Sequence, residues 1–331
     1  MRVLAGDVGG TKVLLQLAEF DGEHPRVVEE WHRPSAAYDG LLPMVLQCLA
    51  EAKLTTSAVD AACFGIAGPV QAHGLSQSAK VTNLPWIVDS GAIARALGTP
   101  AVRLINDFQA LGYGIEGLIH ADLVVLQPGR EQPRAPRVVI GAGTGLGQGL
   151  LIWQGDHYEA IATEGGHADF APTDAVQQEL LRYLAAKYGR VSYERILSGP
   201  GLVNLYSFLC ERGGRSDRPV LAAADPAAAI TQAALSASDA FAAEALALFV
   251  RVYGAQAGNV ALGVLAHGGV YIGGGIAPKI LPALSNGDFM RAFLDKGRMA
   301  AVLEAMPVRV INNPKAGLLG AVLAARRLVR S

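Results

Sequence analysis

Near the start of the chain, Gly6-Asp7-Val8-Gly9-Gly10-Thr11-Lys12 follows the apolar Leu4-Ala5 and leads into Val13, Leu14, Leu15 and Leu17. The Gly-Gly pair tolerates positive φ and needs no Cβ clearance, so it suits a tight hairpin whose backbone N–H groups can close around a phosphate. Strand, turn and strand distinguish it from the Gly-x-x-x-x-Gly-Lys-Ser/Thr loop, which runs into a helix and which this chain lacks. Asp7, beside the turn, is placed to hold a metal ion that carries nucleotide phosphates. Taken alone, the segment is as readily an ordinary hairpin. Its weight comes from two further glycine clusters downstream.

The 331 residues leave room for two domains of roughly 150 residues each. A chain of this length buries a full core without disulfides or structural metal. With a formal net charge of −1 and no basic tract, a nucleic-acid surface is not expected. Cys48, Cys63 and Cys210 are scattered and form no Cys-x-x-Cys pair, as expected of reduced core thiols. The N-terminus lacks a secretion-signal pattern, and the apolar stretch from Val260 to Ile276 reads as a buried helix followed by a buried strand. A soluble cytoplasmic protein without membrane spans is the expectation.

The opening reads as strands over Val3–Asp7, Val13–Phe20 and Val27–His32, then a helix near Gly40–Lys53. A buried strand over Ala58–Ile66, a helix over Asp89–Leu97 and a strand over Ala101–Ile105 follow. That strand stops at Asn106-Asp107, where a helical pattern begins. A second half restarts with strands at Asp122–Gln127 and Val138–Gly141, the turn Gly141-Ala142-Gly143-Thr144-Gly145-Leu146-Gly147, and a strand over Gln148–Gln154. Two halves with one opening suggest a duplicated fold with a cleft between them. Beyond Asp174 the chain is strongly helical, with a long apolar helix from Asp239 to about Ala266 and an exposed loop at Arg215–Ala224. A strand leads to the third glycine turn, Gly273-Gly274-Gly275, and Ala316–Arg330 closes the chain as a helix with a basic end.

Each glycine cluster follows an apolar strand, and converging turns of this kind make an anion cradle. Thr11 and Thr144 offer hydroxyls in matching places. Asp107, at a strand-to-helix junction, either caps the helix or serves as the carboxylate that phosphoryl transfer needs beside an attacking hydroxyl; both can hold together. Glu164-Gly165-Gly166-His167 pairs an acceptor with a donor, as polyol recognition requires. Glu194 and Asn83 are further polar groups at element boundaries, although lone residues of this kind are commonly solvated or capping.

Taken together these segments resemble the actin–hexokinase–Hsp70 superfamily, and within it the bacterial glucokinase family. The resemblance rests on the glycine segments above together with Gly65-Ile66-Ala67-Gly68-Pro69, Thr82-Asn83-Leu84-Pro85-Trp86, Leu104-Ile105-Asn106-Asp107-Phe108, Thr163-Glu164-Gly165-Gly166-His167 and Tyr193-Glu194-Arg195-Ile196-Leu197-Ser198-Gly199-Pro200-Gly201. It implies a two-domain α/β, actin/hexokinase-like (ribonuclease H-like) fold with an interdomain cleft. A small domain would comprise 1–116 plus 313–331, and a large one 117–312. The implied reaction is ATP-dependent phosphorylation of glucose at its 6-hydroxyl. By the same resemblance Asp107 is the catalytic base, and Asn106, Glu164, His167 and Glu194 hold the sugar, with Asn83 assisting. Asp7 acts on Mg²⁺ through water. Gly9, Gly10, Thr11, Gly143, Thr144 and Gly145 hold phosphates, Gly274 and Gly275 lie against adenosine, and Lys12 matches the motif without an assigned contact.

A homodimer is also implied. The related repressor–kinase (ROK) family shares Glu-x-Gly-His but adds a cysteine-rich zinc site and, in its repressors, a DNA-binding module. Here no cysteine follows His167 until Cys210, so no zinc is expected. A kinase for another hexose or amino sugar, a non-catalytic sugar and nucleotide sensor, and an ATPase without a sugar remain alternatives. Asp107 speaks against the sensor, and Glu164 with His167 against the ATPase.

Overall fold

A computed structural model of the chain describes residues 1–22 and 24–330. Glu23 and Ser331, the latter within the expected 313–331 segment, lie outside the described residues. The chain forms two compact units, Met1–Ile119 with Asn313–Ser331, and His120–Asn312.

In the first unit β1 (Arg2–Val8), β2 (Lys12–Phe20) and β3 (Pro25–Pro34) form an antiparallel meander, followed by α1 (Leu41–Glu51). The run through β4 (Ala61–Ile66), buried at every position, reads as near-continuous apolar sequence because it pairs in parallel with both β1 and β8 (Val102–Asn106). The sheet order is β3-β2-β1-β4-β8. Between β4 and β8 lie β5 (Val70–His73), β6 (Ser76–Lys80) and β7 (Ile87–Asp89), a separate three-stranded sheet, then α2 (Ser90–Leu97). α3 (Asp107–Gly114) follows β8 directly. The C-terminal helix Ala316–Arg330 belongs to this unit; near its start, Lys315 Nζ pairs with Glu30 of β3 at 2.7 and 2.9 Å.

The second unit repeats the plan. β10 (Arg137–Ala142) pairs antiparallel with β11 (Leu146–Gln154), which pairs with β12 (His157–Thr163). β10 also pairs in parallel with β13 (Gly269–Gly273), and β13 with β14 (Val308–Ile311). The order β12-β11-β10-β13-β14 thus matches that of the first sheet, with β9 (Leu123–Gln127) added antiparallel at the far edge. The expected repeat is therefore present as topology. Between β12 and β13 stand α4 (Ala175–Tyr188), α5 (Gly199–Arg212), α6 (Pro226–Leu235) and α7 (Ala240–Val264). By length and composition α7 could cross a membrane, but 72% of its most apolar window is buried inside this unit, the pattern of a core helix.

Several expected boundaries shift for local reasons. The strand expected from Ala58 begins at Ala61, because Thr56–Ala58 closes a short 3₁₀ turn. The loop Arg215–Ala224 contains another, Pro219–Ala222. Asp239, expected inside the long helix, is its N-cap. Its carboxylate accepts from the Phe241 and Ala242 amides at 2.9 and 3.2 Å, from the Tyr206 hydroxyl at 2.9 Å and from Arg215 at 2.7 Å. Burial opposes ionisation of Asp239, yet Arg215, the Ala242 amide and Tyr206 together hold its carboxyl below the ordinary range. Asp239→Ala is expected to cost about 2 kcal/mol through the lost cap and hydrogen bonds. Because the folded pKa is depressed, this stabilisation is present above the unfolded carboxylate value of about 3.9 and fades as pH falls through the lower folded value. Urea midpoints of the two proteins should therefore differ at pH 7 and converge in acid. Equal midpoints at pH 7 would refute the role.

Candidate active site

In the first unit, the turn between β1 and β2 has the carbonyls of Gly9, Thr11 and Lys12 tied off. Gly9 N donates to Lys12 O at 3.1 Å, Ser35 Oγ donates to Gly9 O at 2.9 Å, and Ser35 N donates to Thr11 O at 3.0 Å. Among the described residues no partner is seen for the Gly10 and Thr11 amides, which remain as donors. Asp7, Gly9, Gly10, Thr11, Lys12 and Leu14 line a pocket of about 210 Å³. Burial pushes the Asp7 carboxyl above the usual range, and Lys12 partly counteracts this. Asn83, in the left-handed region at φ 64, lies against the same turn: a Cβ on Gly10 would stand 3.5 Å from Asn83 Cβ. Ser35 is fully buried and fixes the turn, yet no local pattern in the sequence announces it.

The strand-to-helix junction separates two roles that the sequence left together. The cap of α3 is Asn106 and not Asp107: Asn106 Oδ1 accepts from Phe108 N at 2.8 Å, and Gln109 Oε1 accepts from Asn106 N at 3.1 Å, a capping box. Asp107 is the first residue of the helix, its Oδ1 accepting from Phe108 N at 3.0 Å.

In the second unit, Glu164, His167 and Glu194 come together although Glu194 is distant in sequence. His167 Nε2 stands 3.8 Å from Glu164 Oε2, and Nδ1 stands 3.8 Å from Glu194 Oε1. Glu164 is the most exposed of the three at 74%, and Glu194 the least at 32%. The two segments are held by Tyr193 N donating to Ala168 O and Phe170 N to Val191 O, both at 3.0 Å. Arg190 adds a bond from its guanidinium to His167 O at 2.6 Å while pairing with Asp169 at 2.7 Å. No local pattern in the sequence announces Arg190, whose bond to this cluster goes to the backbone carbonyl of His167.

The Gly143–Gly145 turn joins this cluster. Leu146 N donates to Glu194 Oε2 at 3.0 Å, and a Cβ on Gly145 would lie only 2.4 Å from that oxygen. Gly145 therefore serves Glu194 as well as the turn. Gly143 N donates to Gly145 O, and Gly199 N to Gly143 O, both at 2.8 Å, so the start of α5 braces the turn. Thr144 is exposed at the tip. The third glycine cluster arrives at the same strand end: Ile276 N donates to Ala142 O at 3.1 Å, and Gly274 adopts φ 79. Gly275 has open space beside its Cα, with nothing within 4 Å of an added Cβ. Among the described residues no group of three or more His, Cys, Asp and Glu is arranged to hold a metal ion.

A carboxylate–imidazole–carboxylate group beside two converging glycine turns suits a polyhydroxylated substrate next to a phosphate. Known proteins of this kind match the chain throughout. A family model described as Glucokinase matches residues 4–328. The glucokinases of Nostoc sp. strain PCC 7120 and Nostoc punctiforme are 47% and 46% identical to it, each across 98% of this chain and 99% of the relative. The crystal structure of a glucokinase from an Antarctic psychrotroph superposes with a TM-score of 0.87 at 27% identity, covering 98% of this chain and 99% of that one. The fold is accordingly the two-domain actin/hexokinase-like one. With agreement over nearly the whole of both chains in sequence and in fold, this chain belongs to the glucokinase family.

Proposed function

We propose that the ATP-dependent phosphorylation of glucose by this enzyme takes place at the 6-hydroxyl, with Asp107 orienting that hydroxyl and accepting its proton. The observation that carries the reading is the Leu146–Glu194 hydrogen bond. It joins a cluster able to hold vicinal hydroxyls to a turn able to hold phosphate, as a sugar kinase requires. Glu164, His167 and Glu194 hold the sugar hydroxyls, with Asn106 and Asn83 as further amides. Gly10 and Thr11, with Thr144 and Gly145, donate to the phosphates, while Gly9 and Gly143 shape the two turns with amides already bonded inside them. Gly274 and Gly275 lie against the adenosine, with open space beside the Gly275 Cα.

Asp7 fits a role toward Mg²⁺, an ion usually held by one or two carboxylates, waters and substrate phosphates rather than by a full protein cage. When bound, Mg²⁺ supplies neutralisation of the charge that develops on the phosphates. Lys12, which lines the same pocket, adds positive charge near Asp7. Cys48, Cys63 and Cys210 are each buried, and the reading assigns no zinc. A homodimer in the cytoplasm, without a membrane or nucleic-acid partner, completes the proposal and rests on family likeness.

The test is a coupled assay for glucose 6-phosphate with purified protein, MgATP and glucose, run beside mannose, fructose and glucosamine. Rapid product formation with glucose, and slower turnover of the other three, is expected. Binding of ATP without turnover of glucose would overturn the assignment.

A further inference from the structure

Tyr253 lies wholly buried on an apolar stretch of α7, its ring edge-on to Phe249 and Phe289 at centroid distances of 5.9 and 5.7 Å. Such packing fixes the ring and leaves the hydroxyl one direction. It reaches the end of β10. Ala142 N donates to the hydroxyl oxygen at 3.2 Å, and the hydroxyl donates to Ile140 O at 3.1 Å. The pairing of β10 with β13 ends at Gly141 and Gly273, where the neighbouring chain turns away through Gly274. A strand end that loses its neighbour inside a core leaves polar backbone groups in need of partners. Tyr253 supplies one group that both accepts and donates. Burial pushes its phenol upward, which keeps it neutral and able to do both.

Ala142 is the residue before the Gly143–Gly145 turn, and its carbonyl is held by Ile276 N. With amide and carbonyl both fixed, the direction in which the chain enters the turn is fixed as well. We propose that Tyr253 is a positioning residue for nucleotide binding: its hydroxyl pins Ala142 so that the Thr144 and Gly145 amides of the turn are aimed before ATP arrives. This rests on the reading of that turn as a phosphate site. Glu194 is tied to the opposite end of the turn, at Leu146, so the sugar cluster is not the part that Tyr253 aims.

Tyr253→Phe keeps the ring and removes the hydroxyl. The ADP dissociation constant by calorimetry and the KM for MgATP are expected to rise about tenfold, with the KM for glucose within about twofold. Phe249→Leu, which loosens the same core and keeps the hydroxyl, should lower Tm without moving ADP binding. Equal effects of the two variants on ADP, or none from Tyr253→Phe, would overturn the positioning role. Thr144→Asp separates this from the underlying reading, because a carboxylate at the tip should repel phosphate. If Thr144→Asp weakens ADP and Tyr253→Phe does not, the inference alone fails. If neither does, the phosphate reading fails and takes the inference with it. Should Tyr253→Phe not accumulate folded, hydrogen exchange of the wild-type enzyme decides. An Ala142 amide protected without nucleotide supports the role, and one that exchanges within seconds until ADP binds refutes it.

Discussion

Asp107→Ala is expected to lower kcat by about 10²–10⁴-fold while the KM for glucose changes far less. Phosphoryl transfer leaves the protein little covalent chemistry to perform. A carboxylate beside the attacking hydroxyl orients it and takes its proton, and that interaction strengthens in the transition state. The local structure makes the experiment clean. Asn106 and Gln109 form the capping box of α3, so removing the Asp107 side chain leaves both bonds of the box in place. A folded enzyme with its turnover lost is therefore the expected product. Steady-state kinetics at saturating glucose and MgATP provide the check, with circular dichroism to confirm the fold. Near-normal kcat would remove Asp107 from the chemistry and leave Asn106 as the functional residue of that junction.

Much of this arrangement was legible because its parts are contiguous. Strands with one glycine turn at their ends announced both hairpins, and the repeat they form appears as matching sheet orders. The strands that escaped notice carry weak signals. β5 and β6 run through His73-Gly74-Leu75-Ser76, are polar and short, and have one fully buried position between them, Ala79. β12 sends Ile161 outward while Tyr158 and Ala160 are buried, so its alternation points both ways. β14 has only four residues.

At the site, residue types were readable and partnerships were not. Nothing near Glu194 in sequence indicates that its carboxylate meets the Leu146 amide, or that Ser35 closes the turn at Gly9. Tyr253 looked like one more apolar residue of a core helix. The choice between Asn106 and Asp107 as cap depends on which side chain reaches back to the helix amides, which sequence order alone does not decide.

The second large effect concerns Gly145, which the motif alone would assign to phosphate. Its position against Glu194 changes the expectation. A methyl group at Gly145 would stand 2.4 Å from Glu194 Oε2, closer than any real Cβ contact, so the carboxylate must move. Moving it breaks the 3.0 Å bond from Leu146 N and shifts the oxygen that faces His167 from the other side of the same carboxyl group. A buried amide then loses its acceptor, and on the proposed sugar role of Glu194 a placed acceptor for the substrate is lost with it. Gly145→Ala is expected to raise the KM for glucose about 10–100-fold, more than it raises the KM for MgATP. Because the substitution acts through the glutamate side chain, its effect should be largely absent in a Glu194→Ala background, where nothing is left for the methyl group to displace. The two changes share one interaction, and a double-mutant cycle reads that sharing as non-additivity. Strict additivity, or a rise confined to the KM for MgATP, would mean that Gly145 shapes the phosphate turn alone. The expected outcome instead makes the Gly143–Gly145 turn the part of the second unit through which sugar and nucleotide sites share one backbone.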